Sequence, residues 1–176
     1  NDGTTNFVNM VYQHKATLIV PANVSSFKIY DEGGKSGAYS YNNRDTLVLI
    51  APQNHVLKLT GSVTTAFSGD TLEVYSDSTI NSSNLLGKKR STSSGTSLNI
   101  GKMVSLGRYM TLYFESDASG AYSGLDLNVE VVNDEYNITI FNAEGGVVTV
   151  AGGKTTAKIG SEVLLNVTNL SAGYLL

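Results

Sequence analysis

Two carboxylates stand where a strand meets a turn, and they are the residues of this sequence best placed to do chemistry. Asp70 follows Phe67-Ser68-Gly69 and opens Thr71-Leu72-Glu73-Val74-Tyr75, whose alternation puts Leu72 and Val74 inward and Thr71, Glu73 and Tyr75 outward. Asp117 closes Met110-Thr111-Leu112-Tyr113-Phe114-Glu115-Ser116, in which Met110, Leu112 and Phe114 share a face. If the fold sets the start of one strand beside the end of the other, the two acids repel each other. They then favour a positive charge, or several hydrogen-bond donors, between them. A hydrolase could use such a pair as acid and base, but nothing else needed for a substrate cleft accompanies it, and the chain is read as not an enzyme.

Other chemistries have less behind them. There is no cysteine in the 176 residues, which removes disulfides, thiolate metal sites and thiol nucleophiles. The two histidines, His14 and His55, are far apart in sequence. Net charge is −3, and the one basic cluster, Lys88-Lys89-Arg90, lies among Ser and Thr, so no nucleic-acid footprint is present. No apolar run approaches the roughly 18 residues of a membrane span. Residues 1–6 lack a methionine, a basic region and an apolar region, and are expected to be the trimmed start of a mature or longer chain.

The elements that must position the acids are strands. Apolar residues alternate or run in short blocks at 7–12, 16–20, 26–30, 46–50, 56–63, 71–75, 98–100, 108–115 and 125–132, separated by Gly, Asn, Ser and Pro turns, and no stretch has helical periodicity. About eight or nine short strands make the pattern of an all-β sandwich or jelly roll. Leu47, Leu49, Leu72, Val74, Leu112 and Phe114 are the expected core, and Gly61 is expected to mark a bulge. Asp31, followed by Glu32-Gly33-Gly34, reads as the acid of a tight turn and not as a catalytic group. The texture changes at Asn133-Asp134-Glu135, after which strands at 136–141, 147–150 and 163–167 are joined by glycines and the chain ends on apolar residues 173–176. The predicted domains are therefore 1–132, a complete sandwich, and 133–176, a small incomplete β module with too few large side chains for a core of its own.

Several blocks, taken in order, resemble a CUB domain: Phe27-Lys28-Ile29-Tyr30-Asp31-Glu32-Gly33-Gly34, Gly37-Ala38-Tyr39-Ser40-Tyr41-Asn42-Asn43, Gly69-Asp70-Thr71-Leu72-Glu73-Val74-Tyr75, and Phe114-Glu115-Ser116-Asp117 with Ser123-Gly124-Leu125. The likeness spans about residues 23–132 and is greatest to CUB-like modules of bacterial surface proteins, since animal members commonly carry disulfides. It implies a jelly-roll β-sandwich that binds proteins or glycans. Residues 136–140, 145–150, Gly160, 163–165 and 173–174 resemble the start of a divergent internalin-type B repeat, a spacer or adhesive unit.

The CUB resemblance also implies a cation site. Calcium-binding members use an acid opening the D-x-L strand and one in an S-D-x-S-type loop, positions matched by Asp70 and Asp117, with Ser116 and Ser119 flanking the latter. The glutamate that closes the preceding strand in the family is missing, its place falling at Thr60 or just after. Calcium is held by six to eight oxygens, so Asp70 and Asp117 predict at most a weak site, and the plainer role is to order their own loops. Tyr39, Tyr41, Tyr109, Tyr113 and Tyr122 could form a sugar platform or be ordinary half-buried strand tyrosines. The Asn-x-Ser/Thr triplets at Asn23, Asn81, Asn137, Asn166 and Asn169 follow from a composition rich in those residues and matter only in a eukaryotic secreted protein.

The functional expectation is a non-catalytic extracellular module of a bacterial cell-surface or secreted protein that binds a protein or glycan. The alternative is an accessory domain of a secreted hydrolase whose catalytic domain lies outside this sequence.

Overall fold

The computed structural model describes residues 7–141 and 145–169, which leaves residues 1–6 and the apolar end 173–176 outside the described part. Two compact units are present, Asn1–Val132 and Asn133–Leu176.

The first unit is an all-β sandwich. Its strands are β1 (Phe7–Asn9), β2 (Lys15–Ile19), β3 (Ser26–Tyr30), β4 (Arg44–Ile50), β5 (His55–Thr64), β6 (Thr71–Tyr75), β7 (Leu85–Lys89), β8 (Leu98–Asn99), β9 (Met103–Val104), β10 (Tyr109–Glu115) and β11 (Gly124–Asn133). A six-stranded sheet has the order β1-β3-β11-β5-β8, with β9 also on β5, and a five-stranded sheet has the order β2-β4-β10-β6-β7. From β3 to β6 the chain changes sheet at every connection, which is the jelly-roll habit. Both edges nearest the N-terminus are parallel additions, β1 on β3 and β2 on β4.

Alternation decides what lies between the sheets. In the five-stranded sheet Leu112 stands opposite Leu47 and Val74, and Phe114 opposite Asp45 and Leu72. In the other sheet Leu127 faces Ile29 and Val129 faces Phe27 across the ladder. All six expected core residues are buried, together with Leu57, Leu59, Leu125 and Leu127. Thr71 and Tyr75, read as outward residues, are buried too; at the Tyr75 end the loop after β6 turns back over the outer face, its Asp77 carbonyl accepting from the Thr111 hydroxyl at 2.5 Å. Gly61, at φ 127°, sits where β11 passes so closely that a Cβ would collide with the backbone of Asp126 and Leu127.

Short 3-10 turns occur at Ser82–Asn84 and Ala151–Gly153, and no longer helix is found among the described residues. The second unit contains β12 (Glu135–Asn137), β13 (Val147–Val150), β14 (Thr156–Lys158) and β15 (Leu165–Thr168), as two two-stranded sheets, β12-β14 and β13-β15. The strand expected at 136–141 is shorter and that at 163–167 starts later, while β14 had no sequence signal. No residue of this unit reaches full burial among those described, in keeping with its lack of large side chains.

Candidate functional site

One end of the first unit collects the connections that follow β3, β5 and β10, the start of β4 and the segment before β2. Asp70 lies at their centre and is fully buried. Its Oδ2 accepts from the Tyr39 hydroxyl at 2.5 Å, and its Oδ1 accepts from the backbone N–H of Asp117 at 2.8 Å. The Tyr39 oxygen also lies 2.9 Å from the Gly120 carbonyl and accepts the Ala66 N–H at 3.0 Å. Three connections are thereby tied to one carboxylate. Burial, followed by the bond to Asp70, drives the Tyr39 hydroxyl well above the ordinary phenol range, so it stays a donor.

Asp117 is placed differently. Its Oδ1 accepts the N–H of Ser119 at 2.8 Å and the Ser119 hydroxyl at 3.1 Å, the local turn expected of an S-D-x-S segment. Among the described residues nothing donates to Oδ2. Gly69, at φ 87°, leaves room for this carboxylate, and a Cβ there would strike it. Asp117, Gly69, Gln13, Asn42, Arg44, Glu115 and Ser116 line an open hollow of about 620 Å³. Tyr12, Tyr41 and Phe67, on three of the segments that meet at this end, are 44%, 52% and 50% exposed. Arg90 stacks over Phe67 at 5.2 Å from the ring centroid.

The connection between β3 and β4 is zipped to the start of the β10–β11 connection. Asn42 N–H donates to the Asp117 carbonyl (2.8 Å), Ser116 N–H to the Asn43 carbonyl (3.1 Å), Asn43 N–H to Ser116 Oγ (3.0 Å), and Ser116 Oγ to the Ser40 carbonyl (2.6 Å). Asp31 holds the other side. Its Oδ1 accepts from Gly33 N–H at 2.9 Å and its Oδ2 from Leu125 N–H at 2.7 Å, with Gly124 leaving space for it. Burial raises its pKa to about 6, and the Leu125 amide works against that rise.

The structure thus brings Asp70 and Asp117 together and gives them separate tasks. Repulsion is relieved by donors: Tyr39 and the Asp117 amide serve Asp70, and Ser119 serves Asp117. Three of the pair's four carboxylate oxygens accept hydrogen bonds and Asp117 Oδ2 is unengaged, so a calcium ion there would draw its remaining oxygens from carbonyls and water. The tyrosines do not make one platform. Tyr39 is core, packed edge-on against Phe114 with centroids 5.1 Å apart; Tyr122 packs on the core; Tyr113 turns its hydroxyl to Glu115 at 2.9 Å. Sequence reasoning missed Tyr39 as a support, and it also missed Glu32, Asn43 and Asp45. Spacing offered one signal: Asp45-x-Leu47-x-Leu49 places Asp45 on the inner face.

No protein-family model matches the sequence, and no curated protein matches it. Solved structures similar to it include the CUB1-EGF-CUB2 domains of rat MASP-1, at 16% identity over 72% of this chain and 44% of that one, with a TM-score of 0.48. The CUB1-EGF-CUB2 domain of human MASP-1/3 matches at 18% identity over 76% of this chain and 56% of that one, TM-score 0.48. The full extracellular region of zebrafish Gpr126/Adgrg6 matches at 14% identity over 86% of this chain and 24% of that one, TM-score 0.47. The chain spans between about a quarter and just over half of these longer proteins.

Proposed function

We propose that residues 1–132 are a non-catalytic, CUB-like extracellular binding module of a bacterial surface or secreted protein, and that residues 133–176 begin a repeat unit that follows it. The module takes a protein partner at the Asp117 end, with a lysine or arginine of the partner entering the hollow. The observation that carries this reading is the contrast between the two acids. Both oxygens of buried Asp70 accept hydrogen bonds, whereas Asp117 lines an open hollow and keeps a carboxylate oxygen without a donor, and the exposed Tyr12, Tyr41 and Phe67 belong to segments that meet at the same end. A basic side chain would satisfy that oxygen by a charge-assisted bond, and the aromatic surface would supply apolar contact. A glycan has less support, since the tyrosines do not converge.

A displayed random-peptide library tests the proposal. Selection on the protein should enrich peptides with a Lys or Arg next to apolar residues, and the enriched peptides should lose at least tenfold in affinity for Asp117→Asn. Equal binding to wild type and variant would overturn it. Calcium at Asp70 and Asp117 is the second reading, supported by their adjacency. It requires that millimolar calcium raise Tm by the mass-action relation RT ln(1 + [L]/Kd), and that Asp70→Asn with Asp117→Asn remove the rise. An unchanged melting curve would rule it out.

A further inference from the structure

We propose that Glu32 and Asp45 share one proton, that this proton latches the connection between β3 and β4, and that its loss above neutrality loosens the recognition end. Asp45 ends an inward row, opposite Phe114 of β10 with Leu72 of β6 one strand further on, and is fully buried on an otherwise apolar face. Glu32 meets it from the connection after β3. One amide group lies between them: Asn43 Nδ2 donates to Glu32 Oε2 at 2.7 Å and to Asp45 Oδ2 at 2.7 Å, which uses both of its hydrogens. Glu32 Oε1 accepts the Ser40 N–H at 2.5 Å. Asp45 Oδ1 is buried and has no partner, and the shared Asn43 amide holds the two carboxyls side by side.

Two carboxylates cannot hydrogen bond to each other, but a carboxyl and a carboxylate can. A proton on Asp45 turns one of the two carboxyls into a donor, leaves no charge on the orphaned oxygen and removes the like-charge contact. A metal ion fits worse, because three of the four carboxyl oxygens already accept hydrogen bonds. The surroundings supply no counter-charge against the pair. Phe114 faces it from β10; Glu115 and Arg44, opposite each other in register, belong to the outer face. The segment before β2 brings the Gln13 amide, which donates to Asn43 Oδ1 at 3.0 Å, and the exposed His14. Asp31, next to Glu32, is turned toward Gly33 and Leu125.

Burial, opposed by the Asn43 side chain and the Gln13 amide and reinforced by the charge of Glu32, raises the pKa of Asp45 to about 7. A carboxyl whose folded pKa exceeds its unfolded value contributes stability that is complete in acid and is lost as pH rises through the folded pKa. For Asp45 that loss runs from about pH 4 to just above 7. What loosens is the segment holding Ser40, Asn42 and Asn43, which is zipped to Ser116 and Asp117. The effect on partner binding rests on the function proposed above; the latch does not.

The direct test is carbon-13 NMR of the side-chain carboxyls. The Asp45 signal should titrate near pH 7, and in Glu32→Gln the midpoint should move lower. Asp45→Asn supplies a permanent N–H in place of the proton, so its Tm should match that of wild type below about pH 4 and exceed it by a margin that grows up to about pH 7 and then holds to pH 8.5. At pH 8.5 the amides of Ser40 and Asn43 should exchange faster in wild type than in Asp45→Asn. An Asp45 midpoint below pH 5, or equal exchange in the two proteins, overturns the proposal, and the titration decides it even where the variant fails to fold. A latch that titrates as described, with peptide binding insensitive to pH, would count against the binding reading and leave the latch standing.

Discussion

Tyr39→Phe is the most economical probe of the Asp70 end, because the ring contact with Phe114 survives and the hydroxyl alone is removed. That hydroxyl donates to a fully buried carboxylate and accepts a buried backbone N–H, so its loss affects two groups. A hydrogen bond to a charged group contributes about 1.5–3 kcal/mol, and leaving the Ala66 amide unpaired costs about 1–3 kcal/mol. A net loss of roughly 3 kcal/mol follows, because partial relaxation keeps the two from adding in full. For a chain of this size that lowers Tm by about 6–12 °C. Urea denaturation should be followed through amide signals of Ile29 and Leu127, which report on the first unit only. A cycle with Asp70→Asn isolates the pair and should give a coupling of about 1.5–3 kcal/mol. A Tyr39→Phe cost under about 0.5 kcal/mol, or simple additivity with Asp70→Asn, would refute the claim that one carboxylate ties these connections together.

Three further outcomes follow from the same end of the molecule. Gly69→Ala should cost about 1–3 kcal/mol and weaken binding of the selected peptides, since φ is 87° and the added Cβ meets the Asp117 carboxylate; urea titration and peptide affinity check this together. Asp31, with its pKa raised to about 6 by burial, contributes stability that is complete below about pH 4 and lost as the pH rises through 6. Asp31→Asn should therefore flatten the fall in stability between pH 4 and 6, at a cost of about 1–3 kcal/mol for the amide it no longer accepts. Limited proteolysis should release a stable fragment ending near Asn133, whereas first cleavage at 91–96 with survival of the C-terminal piece would contradict the proposed domains.

The β framework was legible because period-two alternation is strong wherever a strand is long. Leu47 with Leu49, Leu72 with Val74, and Leu112 with Phe114 each announce an inner face, and all are buried. Strands of two or three residues, Met103–Val104 and Thr156–Lys158, are too short to show a period and were not seen. Outer faces were legible only where nothing folds over them: Tyr75 looks solvent-facing in sequence, and the loop after β6, whose path no local pattern encodes, turns back over the outer face beside it. In the candidate site, Asp70 and Asp117 stood out by position, but their division of labour depends on Tyr39, which lies in an irregular segment where burial has no sequence period. Asp45 was readable from its alternation with Leu47 and Leu49. Its partner Glu32 was not, because the two meet only when the sheets stack.

The cross-tying of the Asp70 end sets terms for anyone using this sandwich as a scaffold. The connections there satisfy one another's backbone groups, through Asp70, Ser116, Asn43 and Asp31. Grafting a foreign sequence into any one of them would strand donors and acceptors in its neighbours, and diversity there has to be introduced in several segments together. The loop between β6 and β7 is built the other way. Asp77 bonds to Ser78 and Asn84, and Asn81 caps the Ser82–Asn84 turn through Ser83, so most of its side-chain bonds close on itself. A library confined to residues 78–83 would leave the bonds of the other end untouched.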